Sequence, residues 1–177
     1  MELSNSKHDI RLKKILKSDL ELIRNWRNSD YVKQFMVFQD FISPQMQEEW
    51  YLRIDNDYNF YFIILNQNIP IGLANIKDIN TELRTGEWGI FLCSPEFLNG
   101  ILGIRSTFLL LDFAFEELQL CSLNFTTLTS NLSALNLNKK IGGRVLENDN
   151  NVIKGILNQT DYLNKTKKLK DLLTKYI

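Results

Sequence analysis

Glu87 is the carboxylate whose neighbours best suit it to moving a proton. The run GEWGIFLC (86–93) alternates, so Glu87, Gly89 and Phe91 fall on one face of a strand and Trp88, Ile90 and Leu92 on the other. If the first face lines a cleft, Glu87 can act as a general base; on an open face it is a solvated strand carboxylate. Ser94-Pro95 stops this strand, because proline cannot donate to a ladder. A loop carrying Asn99, Gly100 and Gly103 then leads into a long apolar helix. Backbone N–H groups at such a helix start form an anion site, which suits a phosphate or pyrophosphate. Arg27 offers a planar fork that pairs with phosphate better than a lysine does, although an arginine ending a surface helix is commonly solvated. Metal chemistry lacks a donor set: His8 is the single histidine, and Cys93 and Cys121 stand in apolar runs without CxxC or Cys/His spacing. Both cysteines are expected to be free, buried thiols, and neither fits a nucleophile.

The elements that must hold these residues follow from periodicity. The stretch 10–15 is strand-like, and LELIRNWRN then puts Leu22, Ile23 and Trp26 on one helical face. Ser43-Pro44 announces a second helix, a capping hydroxyl followed by a proline fixed at helical φ, ending near Asn56-Asp57. The runs 60–65 and 69–76 flank Asn66-Gln67-Asn68 as a hairpin, with 86–93 as a third antiparallel strand. The apolar run 101–120 is expected as one helix packed deep against the sheet, and 123–129 as a strand. A short helix over 131–141 begins at Asn131, a good N-cap, and stops at Gly142-Gly143. Strands near 144–147 and 152–157 and a Lys-rich helix over about 161–176 complete the chain. The fold class is therefore α+β (mixed α/β): a central, mostly antiparallel sheet of about seven strands flanked by helices, with a C-terminal helix.

Composition narrows the function classes. The chain has 177 residues, 44% hydrophobic and 24% charged, which fits a single domain over 1–177. Lys+Arg and Asp+Glu both number 21, which removes a global electrostatic reason for nucleic acid or an anionic membrane as partner. The start MELSNSKHDI has no apolar leader core, and no apolar run approaches the ~18 residues of a membrane span, so a cytoplasmic protein is expected. Leu169, Leu172 and Leu173 give the last helix an apolar stripe that could support a homodimer.

Three local texts together resemble the GNAT superfamily of acetyl-coenzyme A-dependent N-acetyltransferases over roughly residues 8–157. Trp26-Arg27-Asn28 with Phe35-Met36 is similar to the WRN…WM of the branch holding ribosomal-protein alanine acetyltransferases and bacterial nucleotide-sugar N-acetyltransferases. Ile71-Gly72 with Glu87-Trp88-Gly89-Ile90-Phe91 is similar to that branch's IG…EFGIY. Asp112 to Glu116 resembles YAFE, and Asn131, Ala134 and Leu137 fall on its NxxAxxLYxKxGF. The tracts FLNGILG and AFEELQLCSL most resemble the acetyltransferase of pseudaminic-acid biosynthesis.

The resemblance implies acetyl-CoA as co-substrate and no metal. It implies contacts to the cofactor from Phe91, Leu92, Cys93, Leu98, Asn99, Gly100, Ile101, Leu102, Gly103, Ile104, Asn131 and Lys140. A backbone N–H at Leu92 or Cys93 would face the carbonyl oxygen as it gains charge. For the acceptor it implies Arg27, Asn28, Gln47 and Lys77, and for catalysis Glu87 with Asn138. The chain departs from the family at two places. Of the pyrophosphate-loop positions, which fall on Leu98, Ile101 and Gly103, only Gly103 conforms. The tyrosine usually proposed to protonate the departing thiolate falls on Asn138, and losing such an acid costs ~10²-fold or more. The acceptor expected from the resemblance is a small molecule, a nucleotide-linked amino-deoxy sugar. A protein N-terminus is the alternative on the same chemistry, and a GNAT-fold binding domain without catalysis is the alternative that Asn138 and the degenerate loop favour.

Overall fold

The computed structural model describes residues 1–4, 10–98 and 101–175; His8, Asn99 and Gly100 lie outside the described residues. The strands are β1 (Glu2–Ser4), β2 (Ile10–Lys14), β3 (Phe60–Asn66), β4 (Ile69–Asn80), β5 (Thr85–Leu92), β6 (Ser122–Leu128), β7 (Arg144–Asp149) and β8 (Val152–Asn158). They form one sheet in the order β1-β2-β3-β4-β5-β6-β8-β7. All pairs are antiparallel except β5–β6. The helices are α1 (Leu20–Asn28), α2 (Asp30–Lys33), α3 (Pro44–Ile54), α4 (Leu102–Asp112), α5 (Leu132–Lys140) and α6 (Gln159–Lys175).

Alternation along the central strands sorts two cores onto the two faces. Phe62, Ile64, Ala74, Ile76, Trp88 and Leu92 pack with Phe108, Leu110 and Leu111 of α4, Ile141 after α5 and Tyr162 of α6. On the opposite face Tyr61, Ile63 and Leu73 pack with Ile23 of α1, while Trp26, Trp50 and Phe91 close around them. Trp50 meets Tyr61 edge-on with centroids 5.1 Å apart, and Trp26 meets Phe91 at 6.3 Å. Trp88 and Phe91 thus lie on opposite faces of β5, as the alternation requires.

The local signals also hold. Ser43 Oγ accepts from Met46 N–H at 3.2 Å and Pro44 opens α3. Asn131 Oδ1 accepts from Ala134 N–H at 3.1 Å and starts α5. Gly142, at φ +103°, ends it where a Cβ would lie 2.9 Å from the Asp161 backbone.

Four expectations are corrected. The sheet has an eighth strand, the three-residue β1, too short to show a period. The run 101–120 is helical over 102–117 but not α-helical throughout: after Asp112 α4 widens into a π-helical turn over Phe113–Glu117, closed by Leu118 N–H to Phe113 O at 3.0 Å. The last helix begins at Gln159, whose Nε2 donates to Phe115 O. The cysteines are not buried thiols: Cys121 is exposed and Cys93 half-buried. Cys121 sits in the turn before β6, and its N–H reaches Arg84 O at 2.7 Å. No helix among the described residues is long and apolar enough to cross a membrane.

Candidate active site

Between β5 and β6 the sheet opens. The two strands run parallel and pair only at Thr85–Ser122, Gly86–Leu123 and Glu87–Asn124, so Trp88–Leu92 and Phe125–Leu128 diverge. A cavity of about 700 Å³ passes through this gap. Its wall takes Arg27 from α1, Gln47, Glu49 and Arg53 from α3, and Asn75, Lys77, Glu87 and Phe91 from the sheet on the first face. On the other side of the gap it takes Trp88, Phe125, Asn131, Leu137 and Asn138. Phe125 is seated by Gly155 of β8, where a Cβ would stand 2.1 Å from its ring.

The wall carries unusual polar atoms. Arg27 Nε, Gln47 Nε2, Trp88 Nε1 and Asn138 Oδ1 are buried without a hydrogen-bond partner among the described residues, and all four residues line this cavity. Gln47 is only 4% exposed, Trp88 5% and Asn138 6%. Asn138 is held by its Nδ2 donating to Ala134 O at 2.9 Å, which leaves Oδ1 as an acceptor. Buried polar atoms of this kind ordinarily have partners.

Charges on the wall are three cations, Arg27, Arg53 and Lys77, against Glu49 and Glu87. Lys77 Nζ lies 3.2 Å from Glu87 Oε1 and 3.0 Å from Asp78 Oδ2. Burial acts to lower the Lys77 pKa, but the Asp78 hydrogen bond and the Glu87 charge outweigh it and raise it, so the ammonium stays charged. Burial pulls the Arg27 guanidinium below its usual value, with Tyr61 opposing weakly. It also pushes the Tyr61 phenol and the Cys93 thiol up, so neither ionises readily.

Of the residues singled out in the sequence, the cavity brings together Arg27, Gln47, Lys77, Glu87, Phe91, Asn131 and Asn138. Lys77 lies within β4 beside a bulge rather than at a strand end. Asn28 is spent elsewhere: its Nδ2 donates to Ile42 O at 2.9 Å and its Oδ1 accepts from Ile42 N–H at 2.8 Å, which ties the 34–43 segment to α1. Lys140 is exposed at the end of α5 and off the cavity wall. Cys93 N–H donates to Ile71 O at 2.8 Å and is therefore taken. Alternation then turns the N–H groups of Ile90 and Leu92 away from β4, toward the gap. Periodicity passed over Glu49, Arg53, Tyr61 and Asn75. Asn75 shares the Lys77 face of β4, and its side chain fills the space above Gly89. Arg53 lies on α3 one and a half turns past Gln47.

At the start of α4 no side chain among the described residues caps the helix and no acidic residue sits in the first turn, so the first amides suit an anion. Leu98 and Ile101 are 47% and 40% exposed, while Leu102 and Ile104 pack on the main core. A Cβ at Gly103 would meet only Leu92 Cδ1, at 3.6 Å, so packing alone does not require a glycine there. Open strands, uncapped amides and an unpartnered Asn138 acceptor fit a long donor arm ending in a pyrophosphate. Among the described residues no group of three or more His, Cys, Asp or Glu is arranged to hold a metal ion.

A model of the acetyltransferase (GNAT) domain matches residues 9–144. No curated protein matches the chain. Among solved structures, spermidine N-acetyltransferase from Vibrio cholerae in complex with CoA and spermine is similar, with a TM-score of 0.74 and 22% identity, covering 88% of this chain and 99% of that one. The dodecameric form of the Vibrio cholerae enzyme in an intermediate state has a TM-score of 0.72 and 20% identity over 89% and 98%. A domain from Methanocaldococcus jannaschii DSM 2661 has a TM-score of 0.75 and 19% identity over 85% and 99%.

Proposed function

The chain belongs to the GNAT acetyltransferases and uses acetyl-CoA as its donor, and on that premise we propose that it acetylates the amino group of a nucleotide-linked amino-deoxy sugar, such as a UDP-linked 4-amino-4,6-dideoxy sugar. The observation that carries this reading is the acceptor side of the cavity, where unpartnered donors of Arg27 and Gln47 stand on the same wall as Arg53 and Lys77. A ligand rich in oxygens and carrying phosphate satisfies those donors, whereas a polyamine brings only N–H groups and positive charge toward them. The resemblance of the tracts FLNGILG and AFEELQLCSL supports the same acceptor, whereas Trp26-Arg27-Asn28 is shared with the protein N-terminal acetyltransferases. The domain is read as the whole of residues 1–177 acting as one unit in the cytoplasm.

Acetyl-CoA supplies an acetyl thioester, whose thiol is already a fair leaving group. Arg27, Gln47 and Lys77 orient the acceptor from the α1/α3 face. Glu87 accepts the proton of the incoming ammonium, directly or through a water, so that a neutral amine attacks. The Leu92 N–H faces the carbonyl oxygen as charge builds on it. Asn131 lines the path of the donor arm. Asn138 presents an acceptor and no acid, so the thiolate leaves without a side-chain proton donor; the attacking nitrogen sheds its second proton to solvent as the amide forms, and the thiolate takes up a proton from solvent.

Coenzyme A release measured with an amino-sugar nucleotide, a peptide starting in Ala or Ser, and spermidine tests the assignment. The sugar nucleotide is expected to have the highest kcat/KM, by about tenfold or more for one satisfied charged contact. A higher kcat/KM for the peptide or for spermidine overturns it.

A further inference from the structure

Lys77 is shared between two carboxylates. Its Nζ is 3.2 Å from Glu87 Oε1 across the β4–β5 ladder and 3.0 Å from Asp78 Oδ2 next to it in the chain. The second contact depends on an irregular backbone: β4 bulges between Lys77 and Asn80, and Asp78 has φ +53°. Asn59 Oδ1 accepts from Asp78 N–H at 3.1 Å and holds the bulge in place. Non-glycine residues in this region carry strain, and such bulges re-aim side chains beside sites. The Lys77 and Glu87 side chains are 31% and 30% exposed, and both face the cavity.

From this geometry we infer that Lys77 restrains Glu87 as a base until an anionic group of the acceptor draws the ammonium away. While the ion pair stands, Glu87 Oε1 is turned to the Lys77 ammonium at 3.2 Å and is not open to an incoming amine. Asp78 gives Lys77 a second anchor, so leaving Glu87 does not strand a half-buried ammonium. A phosphate entering between Arg27 and Lys77 competes directly with Glu87 for the same donor. The acceptor's own charge thereby completes the base, and an amine without an anion meets a restrained site. The inference rests on the proposed acceptor and on Glu87 as base. Around the pair stand Asp78 on β4 and Tyr61 on β3, with Arg27 of α1 and Glu49 and Arg53 of α3 on the same wall.

Wild type, Lys77→Met and Lys77→Arg are compared on a UDP-linked amino sugar and on the same amino sugar without its nucleotide, with melting temperatures checking that each variant is folded. On the free amino sugar, Lys77→Met should raise kcat about fivefold, the ratio a partly exposed ion pair supports, and Lys77→Arg should not. Adding UDP to the free amino sugar should raise the wild-type kcat by a similar factor and leave Lys77→Met unchanged. On the linked substrate Lys77→Met should raise KM. The gain should vanish in Lys77→Met/Glu87→Gln. A kcat that falls equally on both substrates, or UDP that is inert or only inhibits, overturns the inference. If no amino sugar reacts but a peptide amine does, the acceptor assignment fails; the restraint is then read on that amine, where an unchanged or lower kcat in Lys77→Met refutes it.

Discussion

Replacing Asn138 by leucine separates a residue that serves folding from one that serves a ligand. In the free protein, Oδ1 is a buried acceptor without a partner, and Nδ2 makes one bond to Ala134 O. An unmade buried acceptor costs roughly 1–3 kcal/mol, and a neutral hydrogen bond returns roughly 0.5–1.5 kcal/mol. Leucine removes both, and the cavity has room for its extra volume, so the free protein should gain about 1 kcal/mol. For a chain of this length that is a rise in Tm of about 2–4 °C. Binding should change in the opposite direction. If Oδ1 receives an N–H or a bound water's O–H in the acetyl-CoA complex, the variant loses about 1–3 kcal/mol of that complex, a tenfold or larger rise in Kd. A thermal-shift titration with acetyl-CoA reads both numbers. Wild type at 100 times Kd gains about 2.7 kcal/mol, and the variant at the same concentration should gain about half of this. A Tm that falls in the free variant, together with an undiminished acetyl-CoA shift, would show that Asn138 serves only the α5 backbone and would refute the reasoning.

Glu87→Gln keeps the shape of the wall and removes the proton acceptor; kcat should fall about 10²-fold or more with little change in KM, and an unchanged steady-state kcat would end the base assignment. Tyr162→Phe tests the anchor of α6, where the buried hydroxyl donates to Asp112 Oδ1 at 2.7 Å and Lys170 approaches the same oxygen. Burial, then the charge of Asp112, pushes the Tyr162 pKa up. A raised folded pKa contributes stability that is complete below the unfolded value of about 10 and is lost as pH rises above it. Phenylalanine should therefore lower stability at neutral pH by about 1–3 kcal/mol of lost bonding, a fall in Tm of about 2–4 °C per kcal/mol, and flatten the decline above pH 10, as read by thermal melts across the alkaline range.

The parts of the fold that were legible are those with a period or a cap. The strands 60–65 and 86–93, the strand start at Ile69, the Ser43-Pro44 helix start, the Asn131 cap and the Gly142 stop appear where the residues place them, while β4 runs on past 76 to Asn80. What periodicity missed was too short to have one, β1 and the four-residue α2, or depended on partners distant in sequence. Nothing local marks the end of α4 at Asp112, because Asp112 is held by Tyr162 and Lys170 some fifty residues later. In the site, alternation was enough to put Glu87 and Phe91 on one face of β5, and the structure sets that face against the cavity. It could not reveal that Glu87 is paired with Lys77, since their registry depends on how β4 and β5 are set against each other. Asn28 shows the converse: its place in a recognisable text drew it toward the acceptor, while both ends of its amide are used to bind Ile42.

The departures from the family pattern therefore weigh less than they do in the sequence alone. The pyrophosphate-loop positions lack their side-chain pattern, yet no side chain among the described residues caps the amides that open α4 and its first turn holds no acid, and those amides, rather than loop side chains, are what an anion needs. Asn138 lacks a proton but retains an unpartnered acceptor inside the same gap. Together with Arg27 Nε, Gln47 Nε2 and Trp88 Nε1 it leaves four buried polar atoms unmatched around one cavity. Donors and an acceptor facing one opening from both sides of the β5–β6 gap fit a site that receives two ligands, one from each face of the sheet.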